Sequence, residues 1–206
     1  MNQAALLDSG LEALQLVVSD QQKAALLNYL ALLGKWNKTY NLTAIHEPER
    51  MLTHHILDSL AVLPYVKADT LLDVGSGAGF PGIPLAIVRP DLTVTVMDAS
   101  QKKCGFMQQV VIELKLVNVS VVHARVEAFR TQQPFMQIVS RAFSDLSEFV
   151  RLSSHLLAPG GVWLAMKGVH PLSEISQLKA ARVVRALSLQ VPGLNAERTL
   201  IVMEPV

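Results

Sequence analysis

The 206-residue chain is half apolar, enough for one domain with a sizeable core and room for a decorating segment. Eighteen basic and seventeen acidic side chains leave a formal charge of +1, which excludes a field over the whole molecule that would draw in polyanions; any nucleic-acid surface must be a local patch. The single Cys104 excludes an internal disulfide framework, no run reaches the roughly 18 apolar residues of a membrane span, and no basic stretch leads into an apolar one near the start, so the expectation is a cytoplasmic protein without a membrane partner.

The first 65 residues carry helical periods and nothing strand-like. Leu6, Leu7, Leu11, Leu14 and Val18 recur at three and four, as do Leu26, Leu27, Leu30 and Leu33 after a capping Ser19 or Asp20. A third helix is expected from Glu47 to Leu63, with Pro48 in its first turn and Pro64 stopping it. This segment, residues 1–65, is expected to pack on a core domain of residues 66–206. After Tyr65 short apolar runs alternate with helical stretches. Strands are predicted at Thr70–Val74, Thr93–Asp98, Val119–His123, Phe135–Ser140 and Val162–Lys167, with helices near 82–89, 101–117 and 145–157. Such alternation means βαβ units and a mostly parallel sheet. The tail differs: Val183–Val191 and Thr199–Met203 are strand-like, and the seven residues between them leave no space for a crossover helix, so this pair must be antiparallel.

Four glycines in eight residues, Gly75, Gly77, Gly79 and Gly82, follow the first strand. Such a loop offers bare backbone N–H groups and a close approach to a ligand at the entry of a helix. Asp73 precedes it in the strand, and Asp98 closes the second strand about 20 residues on, the spacing of an acid that accepts the ribose hydroxyls of an adenosine cofactor. Two registers compete. Gly77-x-Gly79-x-x-Gly82 spells a dinucleotide fingerprint and an NAD-dependent oxidoreductase, but it begins two residues beyond the strand and leaves Gly75 and Ser76 without a role. The register starting at Asp73, D-x-G-x-G-x-G, resembles motif I of class I methyltransferases that use S-adenosyl-L-methionine, a Rossmann-like fold whose seven-stranded, mostly parallel sheet has a reversed last strand. The antiparallel tail agrees with the second register. Taken singly, each residue has a plainer use, Asp98 as a helix cap being one.

Longer stretches resemble one family throughout: K-W-N-K-T-Y-N-L-T at 35–43, H-H-I-L-D-S-L at 54–60, D-V-G-S-G-A-G-F-P-G-I-P-L-A-I at 73–87, I-V-S-R-A-F at 138–143 and the tail L-Q-V-P-G-L-N-A-E-R. They resemble the bacterial GidB/RsmG family of 16S rRNA guanine-N7 methyltransferases. The resemblance implies transfer of a methyl group from S-adenosyl-L-methionine, with S-adenosyl-L-homocysteine as product, to guanine 527 in the 530 loop. It also implies a partner in 16S rRNA, within the 30S subunit or an assembly intermediate; separately, a monomer is expected. It places Gly75 and Phe80 in the cofactor loop, Val126 and Glu127 beside the adenine, and Arg141 at the junction of cofactor and acceptor, where it is the catalytic candidate. A non-catalytic assembly factor that holds the cofactor as a structural ligand is the other reading.

Guanine N7 carries a lone pair and no proton, so its methylation is a direct displacement without a general base, and positioning and electrostatics are the expected means. No N-P-P-Y-like tetrapeptide follows the fourth strand, Cys104 lacks a Pro-Cys context and is expected in the core, and no histidine or cysteine spacing indicates a metal. Lys35, Trp36, Lys38, Tyr40 and Arg50, with Lys102, Lys103, Arg125, Arg141 and Lys167, form the candidate RNA surface. Trp36 and Tyr40, four apart, also suit core contacts on a helix.

Overall fold

In the computed structural model, which describes residues 2–141, 143 and 145–206, the strand and helix periods resolve into three layers. Seven strands form one sheet: β1 (Thr70–Val74), β2 (Thr93–Asp98), β3 (Val119–His123), β4 (Phe135–Ser140), β5 (Leu157–Lys167), β6 (Ala181–Ser188) and β7 (Thr199–Pro205). Their order is β3-β2-β1-β4-β5-β7-β6. The first five run parallel, and β7 slots between β5 and β6, antiparallel to both. The mostly parallel sheet with a reversed last strand is therefore as expected. Strand β5 begins five residues earlier than its apolar run, because Gly160 takes a positive φ and Gly161 packs tightly against the carbonyl oxygens of Met136 and Ala158, where a side chain would not fit.

Alternation along β1 shows how one strand serves both layers. Leu71 joins the core on one face of the sheet while Leu72 and Val74 join the core on the other. The first core also holds α1 (Gln3–Ala13), α2 (Asp20–Tyr40), α5 (Gly82–Val88) and α6 (Gln101–Glu113), so the N-terminal helices and the sheet share one continuous apolar cluster. The second core is covered by α7 (Leu146–Ser153) and α8 (Leu172–Gln177). The predicted capping of α2 is a full capping box: the Ser19 side chain accepts from Gln22 N–H and the Gln22 side chain accepts from Ser19 N–H. Helix α6 stops at Glu113, short of the expected residue 117, where Lys115 turns to a positive φ. Ala142 of the I-V-S-R-A-F stretch lies outside the described residues.

The third helix departs most from expectation. It starts with Pro48 in its first turn, as α3 (Pro48–Met51), then widens into a π-helical stretch (Leu52–Leu57) before α4 (Asp58–Leu60). Its inward positions are not only apolar: Thr53, His55, Asp58 and Ser59 are buried in it. Among the described residues no helix is long and apolar enough to cross a membrane.

Candidate active site

The carboxyl ends of β1, β2 and β4 converge on the glycine loop, and three adjoining cavities open there. The loop itself is held by the strands behind it. Ser76 N–H donates to Met97 O (3.0 Å), Met97 N–H donates to Ser76 Oγ (3.1 Å), and Ser76 Oγ donates to Asp73 O (2.8 Å), which extends the pairing of β1 and β2 into the loop as far as Ser76. Asp73 is fully buried and turns away from the cavities: its Oδ2 accepts from Gly82 N–H at 2.7 Å, while Oδ1 has no hydrogen-bond partner among the described residues. Burial pushes its carboxyl up to about 7, against the pull of the Gly82 N–H, the Ser76 hydroxyl and the Arg141 charge. Gly77 and Gly79 both need their lack of a side chain. Each has a positive φ; a Cβ on Gly77 would point into open space beside the loop, and one on Gly79 would strike Ile83 and the Tyr29 hydroxyl.

The first cavity, about 370 Å³, lies at the ends of β1 and β2 and is lined by Gly75, Asp98, Val126 and Glu127, with Phe143 and Arg151 from the α7 side. Val126 and Glu127 sit on a 3₁₀ turn, Val126–Ala128, directly after β3. Asp98 holds the backbone as well as lining the cavity: Oδ2 accepts from Gly77 N–H (3.0 Å), Oδ1 accepts from Ser100 N–H (2.8 Å), and Lys103 Nζ stands 3.6 Å away. A carboxylate has about four acceptor sites, so two remain for a diol. The next cavity, about 230 Å³, shares Gly75 with the first and adds Gly77, Phe80, Thr43, His55 and Arg141. The third, about 360 Å³, shares His55 and Arg141 with the second and adds Asp58, Lys167 and Arg198.

Phe80 and Arg141 organise the junction. The Phe80 ring stacks on Tyr29 and on His55, with centroids at 5.1 and 4.7 Å, and carries the Arg141 guanidinium 5.4 Å from its centroid. Arg141 Nη1 donates to His54 O (3.0 Å) and to Asp58 Oδ2 (3.1 Å). His55 is buried, its Nε2 lies 2.9 Å from Thr43 Oγ1, and burial together with the Arg141 charge depresses its pKa to about 3, so the ring stays neutral at physiological pH.

Of the residues expected from the sequence, the structure brings Gly75, Gly77, Phe80, Asp98, Val126, Glu127 and Arg141 to one continuous trough. Asp73 and Gly79 stand behind the loop and line neither cavity; their contacts are with Gly82, Ile83 and Tyr29. Thr43, Asp58 and Arg198 were legible only as members of quoted stretches, with no role attached, because their partners lie far away along the chain. Cys104 is a core residue whose thiol donates to Asp98 O (3.2 Å). Trp36 packs between Tyr40 and Phe106, while Tyr40 stays partly exposed. Among the described residues no group of three histidine, cysteine or acidic side chains could hold a metal ion.

The capping of α5 separates the two competing loop registers. The Gly82 N–H, which a dinucleotide pyrophosphate would need, is taken by Asp73, and α5 is only seven residues long. The family model described as "GidB: rRNA small subunit methyltransferase G" matches residues 22–202. The chain belongs to that family. It is 54% identical over 202 residues to a protein named ribosomal RNA small subunit methyltransferase G from Laribacter hongkongensis, covering 98% of each chain. A protein of the same name from Chromobacterium violaceum is 53% identical over 199 residues, with 96% of this chain and 95% of that one covered. Among solved structures, an S-adenosyl-L-homocysteine complex of a methyltransferase from Geobacter sulfurreducens superposes with a TM-score of 0.55 at 14% identity, over 85% of this chain and 98% of that one, a likeness of fold. The protein is thus a class I methyltransferase that depends on S-adenosyl-L-methionine. The trough fits that donor: a carboxylate beside the first cavity, a loop without side chains at Gly75 and Gly77, and an aromatic floor at Phe80.

Proposed function

We propose that the chain methylates N7 of a guanine in 16S rRNA, at guanine 527, acting on the 30S subunit or on an assembly intermediate. The observation that carries this reading is the continuity of the three cavities, the first joined to the second at Gly75 and the second to the third at His55 and Arg141, which gives the donor and an acceptor base separate pockets with a shared wall. When bound, S-adenosyl-L-methionine supplies the methyl group on a sulfonium sulfur. Asp98 and Glu127 would hold its adenosine end in the first cavity, with Val126 as the apolar side of that pocket, and the Gly75–Gly77 backbone would pass beneath its amino-acid end. Arg141, fixed by Asp58 and by the Phe80 ring, separates donor from acceptor and is the catalytic candidate, acting by position and charge.

The buried ionisable groups near the junction suit a displacement that moves no proton. Asp58 is held between two guanidinium groups, Asp73 faces α5, and His55 is neutral with its Nε2 engaged by Thr43. N7 of guanine needs no base, and a mechanism of alignment is what such a wall can provide.

The test is transfer of labelled methyl from S-adenosyl-L-methionine to 30S particles and to naked 16S rRNA, both from cells lacking the chain, with the modified base mapped. Label at guanine 527 N7 is the expected result. Donor binding by calorimetry without label on either substrate would favour an assembly factor that uses the donor as a structural ligand. Label on another base would refute the proposed target.

A further inference from the structure

The third cavity has a composition that the methyl donor does not use. Asp58 is almost completely buried at its floor, and its two oxygens are divided between two arginines: Oδ2 accepts from Arg141 Nη1 at 3.1 Å, and Oδ1 accepts from Arg198 Nε at 2.8 Å. The two arginines come from distant parts of the chain, Arg141 from the end of β4 and Arg198 from the turn that leads into β7. Arg198 Nη1 donates to Glu197 O (2.9 Å), and among the described residues Nη2 of Arg198 and both Nε and Nη2 of Arg141 have no hydrogen-bond partner. Lys167, the other cation lining the cavity, is neutralised by Glu174 at 2.7 Å. The wall therefore offers free N–H donors, and its carboxylate, with each oxygen accepting one guanidinium N–H, is 1% exposed behind them.

Resting on the guanine-N7 reading above, we propose that Arg198, together with Arg141, selects guanine by donating to the O6 carbonyl of the acceptor base, and that Asp58 is the positioning residue that fans the two guanidiniums across the cavity. The chemistry of the base edge requires such a device. Adenine and guanine both present an N7 lone pair, so the nucleophile alone cannot tell them apart; guanine carries an acceptor beside it at O6 where adenine carries a donor at N6. Against guanidinium N–H groups, O6 gains a charge-assisted hydrogen bond, whereas an adenine amino group faces donors and cannot reach Asp58, whose side chain is 1% exposed behind them. A phosphate would also suit the cations. The base edge is favoured because Arg141 lines both the donor side and this cavity, so the group against it belongs to the atom next to the nucleophile, and in guanine that atom is O6.

The experiment uses the full chain saturated with S-adenosyl-L-homocysteine, which blocks the adenosine site, and follows Arg Nε–H resonances while guanosine, inosine and adenosine monophosphates are added at millimolar concentration. Guanosine and inosine monophosphates share N7 and O6, and both should bind; adenosine monophosphate should bind at least about ten-fold more weakly. Arg198→Gln should weaken the first two at least about ten-fold and leave affinity for S-adenosyl-L-homocysteine unchanged. Arg198→Lys, which keeps the charge on Asp58, guards against a folding defect and should show an intermediate loss. Equal binding of all three nucleotides would assign the wall to phosphate and overturn the proposal, as would no binding of any, or unaltered discrimination in both variants. The methyl-transfer assay stands apart from this one: label on 30S particles without nucleotide discrimination defeats the inference alone, and discrimination without label defeats the methyltransferase target alone.

Discussion

Asp73 and Asp98 sit at the ends of neighbouring strands, yet their surroundings differ: one faces a cavity and the other is enclosed. Asp98 accepts two backbone N–H groups beside Lys103 and keeps an open side toward the first cavity. Replacing it by alanine removes both its proposed bonds to the donor ribose and its tie to Gly77, and should weaken donor binding by about 1–3 kcal/mol; calorimetry showing wild-type affinity would remove Asp98 from the site. Asp73 is enclosed, with one oxygen unpaired among the described residues and a pKa of about 7, far above its value in an unfolded chain. A carboxyl whose folded pKa is raised holds a proton that the unfolded chain has already released. Stability conferred by the protonated form is thus full at or below about pH 4 and falls as pH rises toward about 7, where it levels off. Asp73→Asn should abolish that portion of the slope, since its amide oxygen can still accept from Gly82 N–H and its amide nitrogen carries no charge. Urea midpoints between pH 4 and pH 8 for the two proteins check this, and parallel slopes would show that Asp73 is ionised throughout.

Helix α2 reaches the cofactor loop through one residue. Tyr29 is buried, its ring stacks on Phe80 and Phe106, and its hydroxyl donates to Ala78 O inside the glycine loop. The N-terminal helices are therefore part of the site as well as of the core. Tyr29→Phe keeps both stacks and leaves the Ala78 carbonyl without this donor, a loss of about 1–3 kcal/mol for a buried acceptor. For a chain of this size that lowers Tm by about 2–12 °C. Donor affinity should fall several-fold in parallel, because the loop loses its tie to α2; a lower Tm with unchanged donor affinity would mean that Ser76 and the strand ends alone order the loop. This contact also shows where reading the sequence stops. Leucine periods reveal α2, and the capping box at Ser19 and Gln22 is written in adjacent residues. A tyrosine that meets a carbonyl 49 residues later is not visible in any local pattern. The π-helical stretch was hidden for a related reason: Leu52 to Leu57 has helical composition, and its widening reflects how His55 and Asp58 pack against Phe80 and Arg141. Strand alternation, by contrast, follows from period and turn length alone, which is why the parallel sheet and its reversed tail were legible.

Over the whole molecule the balance of charge bears on how RNA is held. Of the eight cations expected on the RNA surface, Arg50 pairs with Glu47, Lys103 with Asp98, Arg141 with Asp58 and Lys167 with Glu174. Lys35, Lys38, Lys102 and Arg125 have no carboxylate within ion-pair distance among the described residues, and Lys102 also donates to Tyr40 O. A net charge of +1 adds no long-range attraction to these four. Each phosphate neutralised contributes about 0.7 to 0.9 to the slope of log K against log salt, so about four contacts predict a slope near −3. That is shallow for a nucleic-acid enzyme, and it implies that naked 16S rRNA binds weakly and that most of the recognition comes from the shape of a folded particle. Titrations of 30S particles and of naked rRNA from about 50 to 200 mM salt should give similar shallow slopes and very different affinities. A slope of about −6 or steeper would mean that the paired arginines and lysines leave their carboxylates to meet the RNA, and the charge balance seen in the free protein would then not govern binding.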